Sequence, residues 1–208
     1  GSEMCIRDRF YTVAVAPVDM FKDYKTKVKA WNPDTGNRDF TLTIDNLSDV
    51  YAGGTQDNGT LLISNDGSDT MGVDIGSGDG AATMFSENVN NKYVVYNYVY
   101  NNRVRVLNMN NPNTENDLSY RYTISDNEDD EGDFINKAAL DSNLGIIYAN
   151  AGNGNIRAYY NWDDFSSQNS IKDNYVIGGL SSSATAITVS PFQTQTSTLF
   201  VGTENGQL

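Results

Sequence analysis

The side chains best suited to chemistry in this chain are carboxylates and amides gathered at tight bends. The stretch "YAGGTQDNGT", Tyr51 to Thr60, carries Gln56, Asp57 and Asn58 between Gly53-Gly54 and Gly59. The stretch "LFVGTENGQL", Leu199 to Leu208, carries Glu204 at a similar bend, and Asp79 and Asp141 are further acids of interest. Hydrolysis of a glycosidic bond needs two carboxyl groups roughly 5 to 9.5 Å apart, one with a raised pKa. No spacing in the sequence marks such a pair. Polar bends also bind ligands without turning them over, so Gln56, Asp57, Asn58 and Glu204 are expected to bind a ligand and no catalytic residue is assigned.

Other acidic and glycine-rich stretches have simpler readings. "DNEDDEGD", Asp126 to Asp133, resembles a calcium loop, but anchoring it on Asn127, Asp129, Glu131 and Gly132 puts Ala138 where an EF-hand needs a bidentate acid. A solvated loop is expected there, and no metal. "GSGDG", Gly76 to Gly80, has the glycines of a phosphate cradle without a nearby lysine or a strand-to-helix context, so no nucleotide or other cofactor is expected.

The first nine residues, "GSEMCIRDR", stand apart from the rest. Reverse-translated, they resemble a transposase adapter used to build shotgun libraries. Residues 1–9 are therefore read as non-native and set aside from fold reasoning. Their two acids and two arginines cancel, and Cys5, the only cysteine, lies among them. What remains has no cysteine and no histidine, and keeps the formal net charge of −13. Disulfide scaffolding, thiol catalysis, histidine triads and His/Cys zinc sites are excluded. Nucleic acid is excluded as a partner, because neutralising phosphates needs a basic face. No apolar run approaches the roughly 20 residues that span a bilayer.

The elements that must position the bends read as strands. "RDFTLTI", "KYVVYNYVY", "RVRVLN", "IIYAN", "AITVS" and "TLFVG" are short, β-branched or aromatic, and separated by turn residues. No window sustains the 3.6-residue period of an amphipathic helix. An aromatic-led strand, a two-residue turn and a second strand recur around Asn58-Gly59, Asn101-Asn102, Asn153-Gly154 and Asn205-Gly206, at spacings of 43, 52 and 52 residues. Asn-Gly suits a type I′ turn, which needs φ > 0 at both central residues. A further short strand precedes each hairpin: "YTVAVAP", "AATMFSEN", "INKAALDS" and "ATAITVSP". The period matches the ~40 to 50 residues of a propeller blade. The fold expected is all-β: a β-propeller fragment of about four blades built from antiparallel hairpin repeats, at about 10–65, 80–110, 134–162 and 184–208.

"YAGGTQDNGT", "SNDGSDT…GSGDGAATMFSEN" and "TAITVSPFQTQTSTLFVGTENGQL" resemble the β-propeller repeats of the sortilin and BNR (Asp-box) superfamily. They most resemble versions in large secreted bacterial proteins that often end in a type IX secretion sorting domain. The family's Asp-box is degenerate here: Ser64, Asp66 and Thr70 are kept, Gly67 sits one place early, and Met71 replaces the aromatic. The resemblance implies a secreted or cell-surface location, and an extracellular protein or polysaccharide as partner. Because the fourth unit stops just past its turn, the remaining blades of a parent chain are expected partners too. The function expected is a non-catalytic interaction module. The alternative is a glycoside hydrolase of the Asp-box propeller type, although only Arg38, Arg103, Arg105, Arg121 and Arg157 remain to gather around an acidic sugar. A two-residue loop at Asn101-Asn102 would also pair Tyr100 with Arg103 and Tyr98 with Arg105 on one face, as a sugar-stacking platform or as packing between blades.

Overall fold

A computed structural model describes residues 9–22, 25–32, 35, 37–45, 48–65, 70–101, 103–110, 115–117, 121–125, 131–162, 173–192 and 194–208. The protein is all-β, with sheets that are almost wholly antiparallel. It forms two compact units, Gly1–Tyr98 with Val106–Tyr122, and Val99–Arg105 with Thr123–Leu208.

In the first unit, β1 (Phe10–Val15), β4 (Asp49–Thr55), β5 (Thr60–Asn65) and β6 (Thr70–Gly76) form one four-stranded sheet in that order. Between β1 and β4 the chain inserts the hairpin β2 (Thr26–Asn32) and β3 (Asn37–Ile44). β10 (Glu115–Asp117) adds to β2 in parallel. A second meander runs through β7 (Gly80–Phe85), β8 (Tyr93–Tyr98), β9 (Val104–Asn108) and β11 (Arg121–Ser125). Alternation explains the core: along β5, Thr60, Leu62 and Ser64 are buried while Leu61, Ile63 and Asn65 are half-buried. Leu62 joins Val28, Leu42, Val50, Ile75 and Tyr96 in the first unit's core, each such side chain contributing about 1.5 to 3 kcal/mol. The Tyr96 hydroxyl ends among apolar groups and donates to the Ile75 carbonyl at 2.6 Å.

In the second unit, β12 (Ala138–Asp141), β13 (Ile146–Gly152), β14 (Asn155–Tyr160) and β15 (Asp173–Ile177) form a third meander, followed by the pair β16 (Ala184–Val189) and β17 (Leu199–Thr203). Tyr148, Ile156, Ala158 and Ala184 form one buried cluster, with Ile187, Val189, Leu199 and Val201 packed against it, and Ile147, Tyr159 and Trp162 are buried as well.

The four bends are not alike. Asn153 (φ 51°) and Gly154 (φ 74°) form the expected two-residue turn with both φ positive, between the paired Gly152 and Asn155. At the first bend the positive φ values fall on Asp57 and Gly59, and the loop closes by an i+4 bond from the Thr55 N–H to the Gly59 carbonyl at 2.8 Å. At the fourth, Thr203 bonds to Gln207 in the same way, at 3.0 Å, and Gly206 takes the positive φ. At the second bend, Asn102 lies outside the described residues. The strands stop at Tyr98 and resume at Val104, Val99–Asn101 forms a 3-10 turn, and Tyr100 and Arg103 have positive φ. Tyr100 and Arg103, both outside the strands, are therefore not the cross-strand pair that a two-residue loop would make. The Tyr100 N–H donates to the Asp133 and Phe134 carbonyls, and its ring meets Phe134 edge-on at 5.5 Å, which draws the residue off the ladder.

Candidate functional site

The Thr55–Gly59 bend is held from three sides. Its ends are tied by the Thr55 hydroxyl, which donates to the Gly59 carbonyl at 2.9 Å alongside the backbone bond. The Gln56 N–H donates at 3.1 Å to the carbonyl of Arg9, the last of the nine residues set aside from fold reasoning, through a backbone bond that asks nothing of the side chain there. The Asp57 N–H donates to the Asp79 carboxylate at 2.7 Å, and the Gly59 N–H to the Gly78 carbonyl, which fastens the bend to the segment entering β7. A Cβ on Gly59 would overlap the Gly76 carbonyl, so close approach and positive φ both require glycine there.

This backbone frame leaves Asp57 and Asn58 exposed and Gln56 half-buried. Strand pairing adds a neighbour that the bend's own sequence does not announce, because β1 pairs with β4 so that Phe10 lies opposite Thr55 and Tyr11 enters the acidic corner. Burial raises the Tyr11 pKa above its usual value, the Asp79 and Asp57 carboxylates raise it further, and Arg9 opposes them. The corner thus holds two carboxylates, a phenol kept protonated, and the Gln56 and Asn58 amides, all suited to hydrogen-bonding a polyhydroxylated or peptide ligand.

Glu204 lies in the second unit, exposed, in the Thr203–Gln207 bend. Its N–H donates to the Ser183 carbonyl just before β16, at 3.1 Å, matching Gln56 and Arg9. The Thr203 hydroxyl lies 3.2 Å from the Gln207 carbonyl, matching Thr55 and Gly59. Register makes Glu204 the counterpart of Gln56, and Asn205 the counterpart of Asp57, since Phe10 pairs with Thr55 and Ala184 with Thr203. A serine run laces this bend: the Ser181 hydroxyl bonds to the Asn205 carbonyl oxygen at 2.8 Å and the Asn205 N–H to Ser182 at 3.3 Å.

No protein-family model matches the chain, and no curated protein matches it. The site is therefore read from its own residues.

The remaining candidates have structural employment. Asp141 is buried, and accepts the Asn143 and Leu144 N–H groups at 3.0 and 3.1 Å and the Ser197 hydroxyl at 2.6 Å. Asp126 to Asp130 lie outside the described residues. Of the same stretch, Glu131 forms a two-point pair with Arg157, which raises the Arg157 pKa. Asp133 accepts from the Asn150 amide at 3.1 Å, and Asn150 in turn receives the Gly152 N–H at 3.0 Å. Asp66 and Gly67 of the Asp-box-like stretch are outside the described residues. Ser64 is described, and its hydroxyl bonds to the Thr43 carbonyl at 3.2 Å. Among the described residues no group of three or more His, Cys, Asp or Glu is arranged to hold a metal ion, and no helix is long and apolar enough to cross a membrane. A cleft of about 170 Å³, lined by Val15, Pro17, Phe21, Asp45 and Ser48 among others, opens at the far end of β1 from the Asp57 corner.

Proposed function

We propose that the chain belongs to an extracellular, non-catalytic β-propeller interaction module that holds a protein or glycan on its hairpin bends. The observation that carries this reading is the recurrence of one device: Gln56 and Glu204 occupy the same position in two bends closed by the same threonine bonds, each tied to the residue before its sheet's first strand. Such bends offer variable polar side chains on a fixed frame, which is how scaffolds present binding residues. Three four-stranded sheets and the two-stranded β16–β17 pair, with the β10-β2-β3 sheet set beside them as an insertion, support reading the sheets as about four blades. Within the first unit β1 and β4 pack on β7, and within the second β12 and β13 pack on β16, so successive sheets stack through their leading strands. The likeness to sortilin and Asp-box repeats supports a place outside the cell.

The reading is tested by screening the protein, with Asp57→Ala and Glu204→Ala, on a glycan array and against chromogenic glycosides. Binding without turnover is expected, weakened about tenfold, ~1.4 kcal/mol, in a variant whose bend meets the ligand. Turnover abolished by either substitution would establish the hydrolase instead, and binding indifferent to both would remove these residues from the site.

A further inference from the structure

The two sheets at the ends of the described order carry the same leading strand pair, and each leaves bare the face that the other buries. β1–β4 and β16–β17 share register and share a bulge at the same place, between Phe10 and Thr12 and between Ala184 and Ala186. Residues therefore correspond one to one. Phe10, Val13 and Val15 match Ala184, Ile187 and Val189. Thr12, Ala14, Ala52 and Gly54 match Ala186, Thr188, Phe200 and Gly202.

In the second unit Ala184, Ile187 and Val189 pack on the preceding sheet through Tyr148, Ile156 and Ala158. Their counterparts Phe10, Val13 and Val15 are 47, 60 and 64% exposed. In the first unit the other face meets the following sheet: the Thr12 hydroxyl bonds to the Ala81 carbonyl, Ala14 and Ala52 join the core, and β7 lies over Gly54. The counterpart of Ala52 is Phe200, 53% exposed, beside the exposed Ala186 and Thr188. Exposed apolar faces of this kind mark interaction surfaces.

We propose that these two faces bind each other between copies of the chain. The Val13–Val15 face of one copy packs on the Phe200 face of a second, continuing between chains the sheet-on-sheet packing already made within each unit by β1 and β4 on β7 and by β12 and β13 on β16. Because the two faces differ, the contact is heterologous and propagates head to tail. The proposal rests on the repeat equivalence and is independent of what the bends bind.

The experiment is sedimentation analysis of the protein over about a thousandfold concentration range, in enough salt to screen the charge of −13. Two variants accompany it: Val13→Asp with Val15→Asp, and Phe200→Asp. Thr188→Asp, at an exposed position of the same face, guards against a folding defect in the phenylalanine variant, and circular dichroism checks all of them. The wild-type mass is expected to rise with concentration past that of a dimer, and each variant alone is expected to stay a monomer. Mixing the double variant with Phe200→Asp is expected to restore a one-to-one dimer and nothing larger, since one intact face of each kind remains in the mixture. A wild-type monomer at every concentration overturns the proposal. So does association that persists in both variants, or a mixture that stays monomeric.

Discussion

The Thr55–Gly59 and Thr203–Gln207 bends are closed by the same bonds and differ in what surrounds them. Around the first, Gly54 and Gly59 are pressed by neighbouring backbone: a Cβ on either would overlap the carbonyl of Ala81 or of Gly76. Around the second, a Cβ on Gly202 would sit 3.6 Å from the Ala186 Cβ, and one on Gly206 would meet nothing within 4 Å. The closure is thus a local property, set by threonine and four residues of chain, whereas the demand for glycine comes from the next strand. Around the first bend both glycines are therefore required sterically, whereas around the second Gly206 is held by its positive φ alone and Gly202 by neither cause.

Gly59→Ala breaks this comparison hardest. Forcing a Cβ against Gly76 while holding φ at +69° adds overlap to left-handed strain, an expected loss of about 3 kcal/mol or more. Gly206→Ala meets strain alone and should cost about 1 to 2 kcal/mol. Denaturant unfolding of both variants checks this, and equal losses would show that packing plays no part.

Gly54→Ala against Gly202→Ala removes the φ term, since neither residue has a positive φ. Displacing β7 should cost about 1 to 3 kcal/mol, while the second change should stay within about 0.5 kcal/mol. A large loss at Gly202 would mean that its face is already covered in solution, which the head-to-tail contact itself would produce at high concentration, so dilute samples are the ones to compare.

Legibility in the sequence follows the same line between local and distant causes. Most strands could be read, because β-branched and aromatic alternation is written within each segment. The Asn153-Gly154 turn could be read because its two positive φ values belong to the dipeptide itself. Tyr100 could not, because its N–H is taken by carbonyls more than thirty residues away. The parallel β10–β2 pairing leaves no local mark either, since the partners are separated by most of the first unit. At the candidate site the exposed polar residues were legible and their correspondence was not. Superposing the Asn-Gly dipeptides sets Asp57 opposite Glu204, whereas register sets Gln56 there, one place earlier. Tyr11 belongs to the Asp57 corner only because β1 pairs with β4, a fact held in the ladder and not in either segment.

The smallest expected effect sharpens the electrical difference between the bends. Asp57 is an acid where its counterpart Asn205 is neutral, and Asp57 is one of two carboxylates that raise the Tyr11 pKa, after burial as the leading cause. A phenol whose pKa is higher folded than unfolded binds more protons in the native state once pH passes the unfolded value near 10. Its contribution to stability is therefore complete below about pH 10 and is lost as pH rises through the folded pKa. Asp57→Asn makes the first bend resemble the second and removes one of the two repelling charges. Tyr11 should then titrate at lower pH, still above an ordinary tyrosine because burial and Asp79 remain, and the alkaline loss of stability should become shallower. Ultraviolet absorbance of the tyrosinate reads the first effect, with Tyr11→Phe identifying its signal, and alkaline unfolding reads the second. A Tyr11 titration unchanged by Asp57→Asn would take the Asp57 charge out of the corner and leave burial and Asp79 to account for the phenol.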